Sequence, residues 1–245
     1  MPSRVSAIHP PSAIEGGRFI IEGSAFPIDQ PRLPDVRVGE LRARVVYASA
    51  EQLGVIVPPG IPESGPSLVR VAGAGGDPAF VNLAAPVATG IHQVDSPTFD
   101  DAGNLYLTYS GTRGQQVPVS IFRVRPGGAR EPFSSGIVNP TSTALDLDGR
   151  LYVSSRFEGT VYRVQPDGFV EQFATDLGVA CGLAFAADGA LFVGDRSGTI
   201  FRIDRDGRAA PFASLPGSVA AFHLAFGPDD ALYVAGPTLS SHDAI

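Results

Sequence analysis

The sequence predicts an all-β chain: a β-sandwich followed by an incomplete β-propeller of about three and a half four-stranded blades. Three observations carry the prediction. Short runs of alternating apolar residues, bounded by Gly, Pro, Asp and Ser, fill residues 3 to about 85. From about residue 95 the chain repeats itself with a period near 40 residues. Asp-Gly pairs at 148–149, 167–168, 188–189 and 206–207 separate successive runs. A period of two puts one strand face in a core and the other in solvent, and Asp-Gly suits tight hairpins.

Composition narrows the function. The 245 residues carry a net charge of −7 and no basic stripe, which argues against a nucleic-acid partner. All 18 basic residues are Arg, so Schiff-base and phosphate-loop lysine chemistry is excluded. Cys181 is the only cysteine, which excludes an internal disulfide and a cysteine zinc cluster. No run of 18 apolar residues and no signal-peptide core is present, so a soluble chain without a membrane span is expected. The compartment stays open between cytoplasm and export.

The first segment, residues 1–85, contains "RFIIEG", "DVRVG", "ARVVYAS", "LGVIVP", "SLVRVAG" and "AFVNLA". Such spacing predicts a sandwich of two antiparallel sheets. Its opening, "HPPSAIEGGRFIIEGSAF", and the later "SAEQLGVIVPPGIPESGPSLVRV" resemble the IPT/TIG family of immunoglobulin-like domains. That resemblance implies a structural or docking module. Residues 86–94 read as a short linker.

The repeats occupy 95–245. Inner runs begin "PTFDDAGNLYLTYS" at 97, "TALDLDGRLYVSS" at 143, "LAFAADGALFVGD" at 183 and "LAFGPDDALYVAG" at 224. Leu105, Leu151, Leu191 and Leu232 are 46, 40 and 41 residues apart. "SIFRV", "TVYRV" and "TIFRI" form a second run, and Phe133, Phe173 and Phe212 mark a third element. Four strands per 40 residues is the period of a propeller blade. Leu151 and Val153 should face one neighbouring blade and Tyr152 the other. Three and a half blades leave open edges. The expectation is therefore a piece of a longer protein, of about six blades, or self-association through those edges.

"LFVGDRSGTIFRIDRDG" resembles an NHL unit, and "VDSPTFDDAGNLYL" resembles the first blade of SMP-30/gluconolactonase-like propellers. The lactonases of that group hold a divalent metal with acidic and Asn ligands at the starts of innermost strands. Asp95 matches the first such position, with Asp in place of the usual Glu. The following channel positions are Thr141, Cys181 and Phe222; at the last two, a typical enzyme of the group carries Asn or Asp, and a further acidic ligand would lie beyond Ile245.

The remaining candidates are weighed by chemistry. "DLDGR" and "DRDGR" lack the alternate oxygens and distal Glu of an EF-hand, so the Asp-Gly pairs are expected to turn hairpins. His223 is a candidate general base without an evident partner. His9, His92 and His242 are scattered, and Cys181 is expected to be a small buried residue. Asn139 precedes Pro140 and reads as a turn residue at the rim. Residues 108–120 form an insertion of about six residues relative to the other repeats, and loops on one face commonly build propeller sites. Arg113, Gln115 and Gln116 in it, Asn139 beside it, and Arg156 and Arg196 at equivalent turns are the ligand-loop candidates.

Two functions follow. The first is a non-catalytic binding or scaffold protein presenting loops to a protein or carbohydrate, needing no cofactor. The alternative is a lactone hydrolase using Ca or Zn, with further ligands beyond Ile245.

Overall fold

The computed structural model of the chain describes residues 2–28, 33–60, 64–88, 90–91 and 96–237. Among them every regular element is a β-strand, and no helix is long and apolar enough to cross a membrane. The chain divides into two compact units, Met1–Val87 and Ala88–Ile245.

The first unit has eight strands: β1 (Arg4–His9), β2 (Ser12–Ile14), β3 (Arg18–Ser24), β4 (Val36–Val38), β5 (Leu41–Ala48), β6 (Gln52–Ile56), β7 (Gly65–Val71) and β8 (Ala79–Ala84). They form one nearly closed, barrel-like sheet in the order β1-β3-β6-β5-β4-β7-β8-β2. The two sheets expected from the sequence are here joined through one shared strand. The join is β5, whose Leu41–Ala43 pair with β4 and whose Arg44–Ala48 pair with β6, with an irregularity between Val45 and Tyr47 inside the second ladder. A bulge of this kind bends a strand and lets one sheet curl around its own core. That core holds Phe19, Ile21, Val36, Leu53, Val55 and Val81, all fully buried. Each such side chain contributes roughly 1.5–3 kcal/mol of transfer free energy.

The second unit is a row of antiparallel sheets in chain order. The first contains β9 (Thr98–Phe99), β10 (Leu105–Thr108), β11 (Ile121–Val124) and β12 (Arg130–Ser134). The second contains β13 (Pro140–Leu145), β14 (Leu151–Ser155), β15 (Thr160–Val164) and β16 (Val170–Ala174). The third contains β17 (Ala180–Phe185), β18 (Leu191–Asp195), β19 (Thr199–Ile203) and β20 (Ala209–Ser214). Among the described residues the fourth contains β21 (His223–Phe226) and β22 (Leu232–Ala235).

Successive sheets pack face to face. Leu151 and Val153 join Tyr106, Ile121 and Ile137 of the preceding side. Tyr152, one residue out of phase, joins Leu183, Leu191 and Val193 of the following sheet. The aromatic every 40th residue is packing. Tyr106–Phe133, Tyr152–Phe173 and Phe192–Phe212 meet edge to face at 5.1, 5.0 and 5.0 Å, each worth roughly 0.5–1.5 kcal/mol beyond burial.

The Asp-Gly segments turn hairpins: Asp167 and Asp188 themselves accept from Phe169 N and Ala190 N, whereas at 148–149 and 206–207 the capping carboxylate is an earlier aspartate. Asp146 Oδ1 accepts from the N–H groups of Asp148 and Arg150 at 2.9 and 2.8 Å. Asp204 does the same for Asp206 and Arg208, both at 2.9 Å. These carboxylate oxygens are thus engaged by the hairpin backbone.

Candidate functional site

The strand starts come first, because the metal reading depends on them. Thr141, Cys181 and Phe222 are all buried, at 2, 1 and 2% exposure. The Thr141 hydroxyl donates to the Asn139 carbonyl at 3.2 Å, and the Cys181 thiol donates to the Val179 carbonyl at 3.2 Å. Their own carbonyls accept from the preceding blade: Thr108 Oγ1 donates to Thr141 O at 3.2 Å and Ser154 Oγ to Cys181 O at 2.6 Å. Ser110 Oγ likewise donates to Pro140 O at 2.6 Å. Hydroxyls therefore stitch the inner strands β13 and β17 to the second strand of the blade before each. Asp95 and His92 lie outside the described residues. Among the described residues no cluster of three His, Cys, Asp or Glu is placed to hold a metal.

His223 opens β21, exposed and paired with Ala235. His9 belongs to the other unit, 3.8 Å from Glu22, and His242 lies outside the described residues.

The loop face is more organised. Asn139 is 1% exposed, with a left-handed φ of 47°. Its Oδ1 accepts from Gly114 N at 2.7 Å, while Nδ2 donates to the carbonyls of Gly111 and Thr112 at 3.0 and 3.1 Å. Asn139 is a turn residue by its backbone, and its side chain clamps the insertion. Gln115 works inside the same loop: its Oε1 accepts from Thr112 N and Oγ1 at 3.0 and 2.9 Å. Val117 in the same loop is buried. Arg113 and Gln116 remain exposed.

The turn between β14 and β15 meets this insertion. Phe157 is 50% exposed. The far end of its ring lies so close to Gly114 that a Cβ there would stand 3.0 Å from Cζ and 3.1 Å from Cε2. Glu158 braces the turn by accepting from Tyr162 Oη at 3.0 Å and from Val138 N at 3.4 Å. Burial raises the Tyr162 phenol pKa, and the Glu158 carboxylate raises it further. Arg156 is half-buried beside Phe157. One blade on, the exposed Arg196 donates to the Val219 carbonyl at 3.0 Å. The neighbouring Asp195 is buried, bonding Ser197 Oγ and Val179 N.

Among the sequence candidates, Gln115 and the buried Asn139 hold the insertion that carries the exposed Arg113 and Gln116; Arg156 lies next to Phe157 in sequence, and Arg196 belongs to the next turn. Phe157 and Glu158 were not singled out from sequence. The signal was available: "SRFEG" carries an aromatic where the aligned "DRSG" has Ser197, in a turn that needs no apolar residue.

No model of a protein family and no curated protein matches the chain. Solved structures do. An auxiliary nutrient binding protein from Bacteroides thetaiotaomicron aligns over 96% of this chain and 65% of its own, at 16% identity and a TM-score of 0.50. A protein provisionally described as a gluconolactonase aligns over 71% of this chain and 67% of its own, at 18% identity and a TM-score of 0.50. Virginiamycin B lyase from Staphylococcus aureus aligns over 99% and 68%, at 14% identity and a TM-score of 0.49. The chain spans about two thirds of the length of these proteins. They are propellers of the NHL/SMP-30-like kind, and this chain shares their all-β blade architecture.

Proposed function

We propose that the chain is a non-catalytic binding module that recognises its ligand with the loop face of the propeller unit. The observation that carries this reading is the clamp on the insertion. Asn139 engages its amide oxygen and both described donor contacts with Gly111, Thr112 and Gly114, which orders an exposed loop in advance of any ligand. Preordering a loop lowers the entropy cost of binding. The strand starts support the same reading. Cys181 donates its thiol to the Val179 carbonyl and Phe222 is apolar, so the two positions where the resemblance puts Asn or Asp offer a metal no anionic oxygen. The description of the Bacteroides protein as a nutrient binder agrees with this, at the level of fold alone. In this proposal the first unit is an IPT/TIG-type immunoglobulin-like spacer or docking domain occupying 1–85, joined through 86–94 to the blades of 95–245.

The competing proposal is a lactonase with Asp95 as its first metal ligand. Titration with calcium or zinc followed by a lactone-hydrolysis assay separates the two. The binding reading expects no metal-dependent turnover. Turnover that requires the metal and is lost in Asp95→Ala would overturn it.

A further inference from the structure

We propose that the Phe157–Gly114 contact forms a platform for an acidic oligosaccharide, with the Phe157 ring beneath a sugar and Arg113 pairing with its carboxylate. The inference rests on the binding reading above and names its ligand class.

Phe157 stands in the turn between β14 and β15 with half of its surface open. Its position is nevertheless set, because the tip of the ring rests against Gly114. Gly114 is itself held by Asn139 and has a φ of 76°, a conformation that suits glycine. A Cβ at 114 would stand 3.0 Å from the ring tip, so ring and backbone approach closely there. The result is a small apolar surface beside a clamped loop.

The surroundings choose the ligand. A pyranose ring presents C–H groups on one face and hydroxyls around its edge. It therefore matches a single exposed phenyl ring bordered by hydrogen-bonding side chains better than an apolar peptide anchor, which needs a deep desolvated pocket. The residues next to this contact in sequence are cationic and amide-bearing. Arg113 adjoins Gly114, Arg156 adjoins Phe157, and Gln116 lies two residues further along the insertion. Among the described residues no carboxylate lies within ion-pair distance of Arg113. The nearest acidic side chain in sequence to Phe157, Glu158, is occupied by Tyr162 and Val138. A guanidinium offers two parallel donors to a carboxylate, so charge complementarity favours a uronic-acid sugar over a neutral one.

The test uses the intact 245-residue chain and calorimetric or fluorescence titration with three probes: a galacturonate oligomer, a neutral malto-oligomer of equal length and an acidic peptide. The galacturonate oligomer should bind most tightly. Phe157→Ala should weaken its binding by about tenfold or more, and Phe157→Leu, which keeps apolar bulk for folding, should also weaken it because a planar ring is required. Arg113→Gln should weaken binding of the acidic oligomer by about tenfold while leaving the neutral one unchanged. Absence of saccharide binding, or saccharide binding unaffected by Phe157→Leu and Arg113→Gln, would overturn the platform. Tight binding of the peptide alone would overturn the saccharide assignment and leave the binding reading standing. Metal-dependent lactone turnover would remove the reading itself.

Discussion

Asn139 Oδ1 accepts the Gly114 amide proton at 2.7 Å across 25 residues of sequence. This bond connects a blade-to-blade crossing, where Asn139 sits just before β13, to the tip of the insertion between β10 and β11. One polar side chain thereby converts extra residues of chain, which would otherwise sample many conformers, into a defined surface. The same insertion then positions Phe157 of the next blade through Gly114. Two blades therefore build the candidate site together, and the residue that links them is buried.

Replacing Asn139 tests that linkage. Asn139→Gly keeps access to the left-handed backbone and deletes the clamp. It should cost about 1–3 kcal/mol, because backbone groups that faced the amide lose their partner. Hydrogen exchange at the Gly114 amide should accelerate much more than exchange in β14. Asn139→Asp should be worse, since a carboxylate oxygen would face the Gly111 and Thr112 carbonyls in place of the donated N–H. Urea melts with exchange measured by NMR would decide; equal Gly114 protection in wild type and Asn139→Gly would refute the clamp.

What could be read from sequence was whatever repeats. The spacing of Leu105, Leu151 and Leu191 places the second strands of three blades, and the alternation around Leu151 correctly separates its two packing faces. The Asn139 clamp does not repeat. Its aligned residues are Val179 and Ala220, so no period could reveal it, and its partners lie 25–28 residues earlier. The joined sheet of the first unit was also hidden, because alternation in β5 is the same whether its ends pair within one sheet or two. By contrast, the ion pairs Arg123–Glu131 and Arg163–Glu171 could have been found. Each pair is eight residues apart at the same place in its repeat. In the third blade Ala210 replaces the glutamate, and Arg202 turns to Asp188 at 2.7 Å.

Those two pairs give a pH prediction. A hydrogen bond from Arg123 holds the Glu131 carboxyl below its ordinary value of 4.5, and a hydrogen bond from Arg163 does the same for Glu171. A carboxyl whose folded pKa is depressed contributes stability that is fully present above the unfolded value and lost as pH falls through the folded one. Stability should therefore decline below about pH 4.5, and Glu131→Gln and Glu171→Gln should each narrow their deficit relative to wild type over that window. Both glutamates are partly exposed, so the effect at neutral pH should be modest and salt-sensitive. Thermal melts from pH 3 to pH 7 at low and high salt would show it. A deficit that stays constant across pH would count against these pairs as the titrating contacts.

The hydroxyl stitches predict a buried-versus-exposed contrast between two serines. Ser154 is fully buried; it donates to Cys181 O at 2.6 Å and accepts from Ser142 N at 3.1 Å. Ser154→Ala leaves a carbonyl and an amide without that partner and should cost about 1–3 kcal/mol. Ser135→Ala, at an exposed position, should stay within about 0.5 kcal/mol of wild type. Chemical denaturation of both variants is the measurement, and equal midpoints would show that the stitch contributes nothing.

The Asp-Gly pairs give the sharpest comparison, because two of their glycines share a conformation but not an environment. Gly149 has a φ of 77° and Gly168 a φ of 87°. An alanine at either position therefore carries a left-handed penalty of about 1–2 kcal/mol. At Gly149 a Cβ would meet nothing within 4 Å. At Gly168 it would run into the Phe133 carbonyl oxygen of the preceding blade, where Ser134 Oγ donates to the Gly168 carbonyl at 2.8 Å. The first glycine serves only its own hairpin, and the second also sets the approach of two blades. Gly149→Ala should accordingly cost only the backbone term. Gly168→Ala should cost at least about 1–3 kcal/mol more, the usual range for forcing atoms into a packed site. It should also increase hydrogen exchange in β12 as well as in its own turn. Denaturation midpoints of the two variants, measured side by side, decide the matter: matched losses would mean that blade approach does not depend on the glycine at 168.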